Sequence, residues 1–183
     1  MEIEKIINGD TPEEIWKQIG EDLKANEFAY TAVITFEGRK IIFNIEIDPG
    51  GGFEGGYQTT MLRSELQHAG DFKFAIHHQG LLDEIGKVFG MQDIETGYVE
   101  FDKKVVVKSN DEEKVKSIFA DAQARSVLME LNDFVFHIVK HHIDETEREA
   151  YFLELTIEEA IVDIVTLRTL YNAFYSILLA IDE

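Results

Sequence analysis

Phe134-Val-Phe-His-Ile-Val139, then Tyr151-Phe-Leu-Glu-Leu-Thr-Ile157, then Asp163-Ile-Val-Thr-Leu-Arg-Thr-Leu-Tyr-Asn-Ala-Phe-Tyr-Ser-Ile-Leu-Leu-Ala-Ile181 decide the fold class. In the first two runs side chains alternate with period 2, which predicts two strands. Asp144-Glu-Thr-Glu-Arg-Glu149 between them is too charged to bury and reads as a hairpin loop. In the third run Ile164, Leu167, Tyr171, Phe174, Leu178 and Ile181 recur at helical steps behind Asp163, an N-cap residue. A lone hairpin is marginal in water. The long apolar helix is therefore expected to cover it.

The same logic extends toward the N-terminus. Thr11-Pro-Glu-Glu14 starts a helix with an N-cap, a first-position proline and a capping-box glutamate, and Ile15, Trp16, Ile19 and Leu23 form its apolar stripe. Residues 28–36 and 40–47 read as strands around the glycine turn Glu37-Gly38-Arg39. Ile41, Phe43, Ile45 and Ile47 share one face of the second strand, while the other face is mostly polar, the antiparallel pattern. Further strands are expected over 57–66 and 72–76, and a short helix over 81–89 ending at Gly90. The run 94–111 reads as a strand with Val105 and Val107 on one face. Two helices should follow, over about 111–119 and 122–131.

These elements predict one α+β domain spanning 1–183. Its antiparallel sheet of about six or seven strands carries helices on one face and ends in a β-hairpin and a long C-terminal helix. No linker or internal repeat divides the chain.

Charge narrows the function classes. Thirty-six acidic against seventeen basic residues give a formal net charge of −19. That excludes phosphate-backbone binding as the expected role, and so no nucleic acid partner and no membrane surface is expected. It suits a protein partner of basic character. With no cysteine, disulfides and thiolate chemistry are absent. Met1-Glu-Ile-Glu-Lys5 lacks the basic start of a signal peptide, so a cytoplasmic location is expected. Residues 161–181 are long enough to span a bilayer, but Asp163 and Arg168 interrupt them, which favours a buried helix.

Residues 72–131 resemble a family of uncharacterised bacterial domains. The resemblance rests on Leu81-Leu-Asp-Glu-Ile-Gly-Lys-Val-Phe89, Ile94-Glu-Thr-Gly97, Glu100-Phe-Asp-Lys-Lys-Val-Val-Val107 and Ser109-Asn-Asp-Glu-Glu-Lys-Val115. The family's usual Gly-Asp is Gly97-Tyr98 here, which removes a polar group, and the resemblance implies no catalytic residue. Physically, Gly97 permits a bend and Asp102 can anchor a turn.

Candidate chemistry is sparse. Asp48-Pro-Gly-Gly-Gly-Phe-Glu-Gly-Gly-Tyr57 lacks the Gly-Lys-Ser/Thr of a nucleotide loop. Its Gly50, Gly51, Gly52, Phe53, Gly55 and Gly56 form a surface loop and the candidate ligand or partner loop. His137 and His141 share one strand face about 13 Å apart, too far for one metal ion. No metal and no cofactor is therefore expected, and no catalytic set is visible. On the C-terminal helix, Leu170, Ala173 and Ile177 form a second apolar stripe beside the sheet-facing one. A single sheet face needs an arc of only about 100°. The surplus makes these three a candidate homodimer interface. The expected function is a non-enzymatic acidic protein-interaction domain, of the type set by small chaperones and immunity proteins. The alternative is a metal-dependent enzyme or small-molecule binder using the histidines and their acidic neighbours.

Overall fold

The computed structural model describes residues 5–9, 11–25, 28–52, 55–68, 70–78, 90–143 and 148–183. Its elements are β1 (Lys5–Asn8), α1 (Pro12–Leu23), β2 (Ala29–Phe36), β3 (Arg39–Asp48), β4 (Tyr57–Glu65), β5 (Phe74–His78) and β6 (Gln92–Asp93). They continue with α2 (Val99–Asp102), β7 (Val105–Ser109), α3 (Glu112–Ile118), α4 (Ala122–Glu130), β8 (Phe134–His142), β9 (Glu149–Ile157) and α5 (Ile164–Asp182). The predicted helix over 81–89, Phe53, and much of the 144–149 loop lie outside the described residues.

The strands form one nine-stranded sheet in the order β1-β2-β3-β4-β9-β8-β5-β7-β6. Its pairs are antiparallel except β1 with β2, which is parallel. The fold is the expected α+β class with the expected hairpin and long last helix, but the sheet is wider than six or seven strands. The surplus is β1 and β6. Four and two residues are too short to show a period, and each exists by pairing with a longer neighbour. The run 94–111 is also divided: the strand is confined to Val105–Ser109. Ahead of it Asp102, at the end of α2, accepts from Thr96 N at 3.1 Å, Thr96 Oγ1 at 2.6 Å and Gly97 N at 3.1 Å. Gly97, at φ 87°, makes the bend.

Local chemistry starts the helices. Thr11 accepts from Glu14 N, Asp111 from Lys114 N, Asp121 from Gln123 N and Asp163 from Thr166 N. Each such cap stabilises by about 1 kcal/mol. The β2–β3 turn holds Glu37 at φ 49° and Gly38 at φ 78°, the left-handed pair of a tight hairpin. Tyr175 donates to the Glu37 carboxylate at 2.9 Å, which ties that turn to α5.

The described helices lie on one side of the sheet. The covered face carries Ile34, Phe43, Leu62, Leu155, Phe136 and Ile76, which are buried and lie along one line of cross-strand partners or its neighbours. Helix α5 crosses it, with Leu167, Phe174, Leu178 and Ile181 buried. Trp16 of α1 meets Tyr171 edge-on at 5.4 Å. By length and composition α5 could cross a membrane. Here it packs between the sheet and helices α1, α3 and α4.

That packing changes the reading of the second stripe. Leu170, Ala173 and Ile177 are 1%, 4% and 1% exposed within the single chain. Helices α3 and α4 cover them, and Ser176 donates to Asp121 at 2.8 Å beside that contact. The surplus apolar arc is filled from within the chain, and these three residues offer no surface to a second copy. The apolar residues near this helix that remain exposed are Val162 and Val165, at its N-terminal end.

Candidate functional site

The sheet face opposite the described helices gathers the side chains that sequence spacing left dispersed. Register places Ile6, Val33, Ile42, Arg63, Glu154, His137, Ala75 and Lys108 in one row of cross-strand partners, from β1 to β7. Row neighbours lie close enough to interact. The row is apolar at the β1 end and charged in the middle.

Glu154 is the centre of the charged part. His141 Nε2 lies 3.1 Å from Glu154 Oε2, while His137 Nε2 stands 3.8 Å from Oε1 and Arg63 3.7 Å from Oε2. His137 and His141 together hold the Glu154 carboxyl below its usual range, against a desolvation that pushes it up. The two histidines share a strand face, as the alternation predicts. Their convergence was not visible, because Glu154 comes from the neighbouring strand and faces His137 through the β8–β9 register. Among the described residues no group of three or more His, Asp or Glu side chains is arranged to hold a metal ion. His77 is buried in β5, its Nδ1 3.0 Å from the His78 carbonyl oxygen.

Beside this cluster the same face carries a groove of about 540 Å³. Val33, Ile42, Phe152 and Ile143 line it together with Ile6, and Lys40, Arg63, His141 and His142 stand around them. The Arg63 guanidinium carbon lies 5.6 Å from the centre of the Phe152 ring.

A second groove, of about 750 Å³, lies at the start of α5. Val127 and Leu131 from α4, Ile161 and Val162 from the β9–α5 connection, and Val165 and Leu170 from α5 give it an apolar floor. Glu130, Glu159 and Asp163 are its charged lining groups, with no base among the described lining residues. The connection is pinned: Thr60 donates to the Glu159 carbonyl at 2.7 Å and accepts from Ile161 N at 2.9 Å. The Thr166 N–H holds the Asp163 carboxyl below its usual range, so this rim group is anionic at neutral pH.

The glycine loop stands apart from both grooves. Gly50 and Gly52 have φ 73° and 64°, and Gly50 N donates to Asp48 Oδ1 at 2.8 Å. A Cβ on Gly56 would lie 2.4 Å from the Asp48 carbonyl oxygen, whereas one on Gly51 meets nothing within 4 Å. Backbone cannot retreat as a flexible side chain can. Gly56→Ala is expected to destabilise by about 1–3 kcal/mol and Gly51→Ala by less than about 0.5 kcal/mol. Urea midpoints of the two variants check this, and equal midpoints would contradict it.

Taken together, the architecture defines an α+β sheet domain with the described helices on one face; on the opposite face Ala75 and His77 of β5 are buried, while the β1–β4 part carries the groove. Across 90% of this chain and 91% of the other, it is similar to the crystal structure of the mycobacterial trehalose monomycolate transport factor A, TtfA, with a TM-score of 0.51. Sequence identity is 7%, so the likeness concerns the fold alone. No family model and no curated protein matches the chain. The resemblance of residues 72–131 to uncharacterised bacterial domains is thus carried only by the residues quoted for it.

Proposed function

We propose that this chain is a non-enzymatic protein-interaction domain, and that its partner presents a basic, amphipathic segment to the groove at the start of α5. The observation that carries the proposal is the pairing of an apolar floor with an all-acidic rim. Val162 and Val165 are 57% and 69% exposed there. Leaving both in water forgoes burial worth about 1.5–3 kcal/mol for each side chain. Glu130, Glu159 and Asp163 would meet lysines flanking an apolar stripe, the helix-in-groove mode of recognition. The −19 charge of the chain supports this by steering a cationic partner toward it.

Calorimetric titration with a designed Lys/Leu amphipathic helix of about 14 residues, four turns, tests the reading. Saturable binding is expected, weakening as salt rises. Val165→Ser keeps the charge and removes the anchor, and should weaken binding at least about fivefold. Absence of saturable binding, or equal affinity in wild type and Val165→Ser, would overturn the proposal.

A further inference from the structure

We infer that the groove on the sheet face opposite the described helices is a binding site for a single-chain amphiphilic carboxylate, an alkanoate of medium length. This site is separate from the acidic groove and takes a different ligand.

Lys40 is exposed at the groove, and among the described residues its ammonium makes no ion pair. Arg63 is only loosely engaged. Its carboxylate partner Glu154 stands 3.7 Å away and is contacted more closely by His141, at 3.1 Å. The Arg63 Nε is buried and has no hydrogen-bond partner among the described residues. The lining acid Glu65 is already paired with Arg148 at 3.2 Å. Among the described lining residues the bases Lys40 and Arg63 therefore outnumber the one acid, Glu65, within a molecule that is negative overall.

The remainder of the lining fits a tail. Val33 on β2 and Ile42 on β3 form a floor that ends at Arg63 on β4, with Phe152 of β9 beyond it, while Ile6 and Ile143 rise at the margins, 67% and 37% exposed. Two large aliphatic side chains in water beside one groove leave apolar surface that an alkyl chain can cover. The volume, about 540 Å³, falls within the range of sites for small ligands. A carboxylate also suits the planar donor fork of Arg63. One cavity thus holds a head subsite at Lys40 and Arg63 and a tail subsite from Ile6 across Val33 to Ile42.

Calorimetric titration of the full chain with dodecanoate, below its micelle concentration, tests the site. Octanoate and acetate are titrated in parallel. Dodecanoate should bind saturably. Affinity should fall toward octanoate by up to about fourfold per methylene removed, and acetate should show no saturation. Lys40→Met and Ile6→Ser alter exposed side chains, so both proteins should stay folded. The first should weaken dodecanoate about tenfold and the second about threefold. No saturable binding, affinity independent of chain length, or full affinity in both variants would overturn the assignment. Peptide binding at the acidic groove is read with another ligand and another variant, so the two proposals fail separately.

Discussion

Replacing Asp182 by alanine is expected to destabilise the fold by about 3–5 kcal/mol, the typical cost of breaking a buried ion pair from one side. Asp182 is the last residue of α5, and its side chain is 1% exposed. A carboxylate at a helix C-terminus is unfavourable by the helix dipole. It persists here because it gathers donors from two distant segments. Arg39, at the start of β3, pairs with it, and the backbone N–H groups of Gln67 and His68 both donate to Oδ1 at 3.0 Å. The alanine variant would leave a mostly buried guanidinium and two amides without an acceptor. Whole domains are stable by only about 5–15 kcal/mol, so this one substitution removes a large share. Urea unfolding of Asp182→Ala measures the loss. A double variant with Arg39→Met should cost less than the sum of the two single changes, because the orphaned cation is then gone. A loss under about 1 kcal/mol in the single variant would show that the pair does not hold the end of α5.

Phe136→Ala should cost a similar amount, about 3–5 kcal/mol, for a different reason. Phe136 is fully buried near the start of β8. Its ring stacks on Phe174 of α5 at 5.6 Å and meets Phe74 of β5 edge-on at 5.8 Å. Phe74 in turn stacks with Phe119 at 6.0 Å, and Phe119 meets Phe101 at 4.9 Å. The ring is thus the joint between the long helix and the β5–β7 end of the sheet. Truncation loses both the transfer free energy and the contacts around the void. Phe136→Leu should recover most of it, leaving a deficit of about 1.5 kcal/mol. Val135, one residue away, faces the opposite side of the sheet, and Val135→Ala should cost about 1 kcal/mol or less. Equal losses at 135 and 136 would contradict the assignment of faces.

The contrast between those neighbours is legible in the sequence, since alternation alone assigns them to opposite faces. So are the turn at Gly38, the caps at Thr11 and Asp163, and the long hairpin under α5. Each depends on interactions within a few residues. β1, β6 and α2 were not legible, because segments of two to four residues carry no period and form only against a partner. The candidate site divides in the same way. That His137 and His141 share a face follows from their spacing. That Arg63, from β4, and Glu154, from β9, complete the cluster follows only from the order in which strands pair.

The C-terminal helix shows where that boundary falls. Its sequence alone determines that residues 164–182 form a helix and that more than one side of it must be covered. An apolar arc records the need for cover, since water is excluded from Leu170, Ala173 and Ile177 whatever packs there. It does not record whose side chains provide it. Helices α3 and α4 of the same chain do so, and the groove they leave with Val162 and Val165 is a consequence of that choice. Caps and periods act through bonds and neighbours a few residues apart. Strand order and helix cover depend on contacts between residues far apart in sequence, 143 positions for Arg39 and Asp182, and those are set by the free energy of the whole chain.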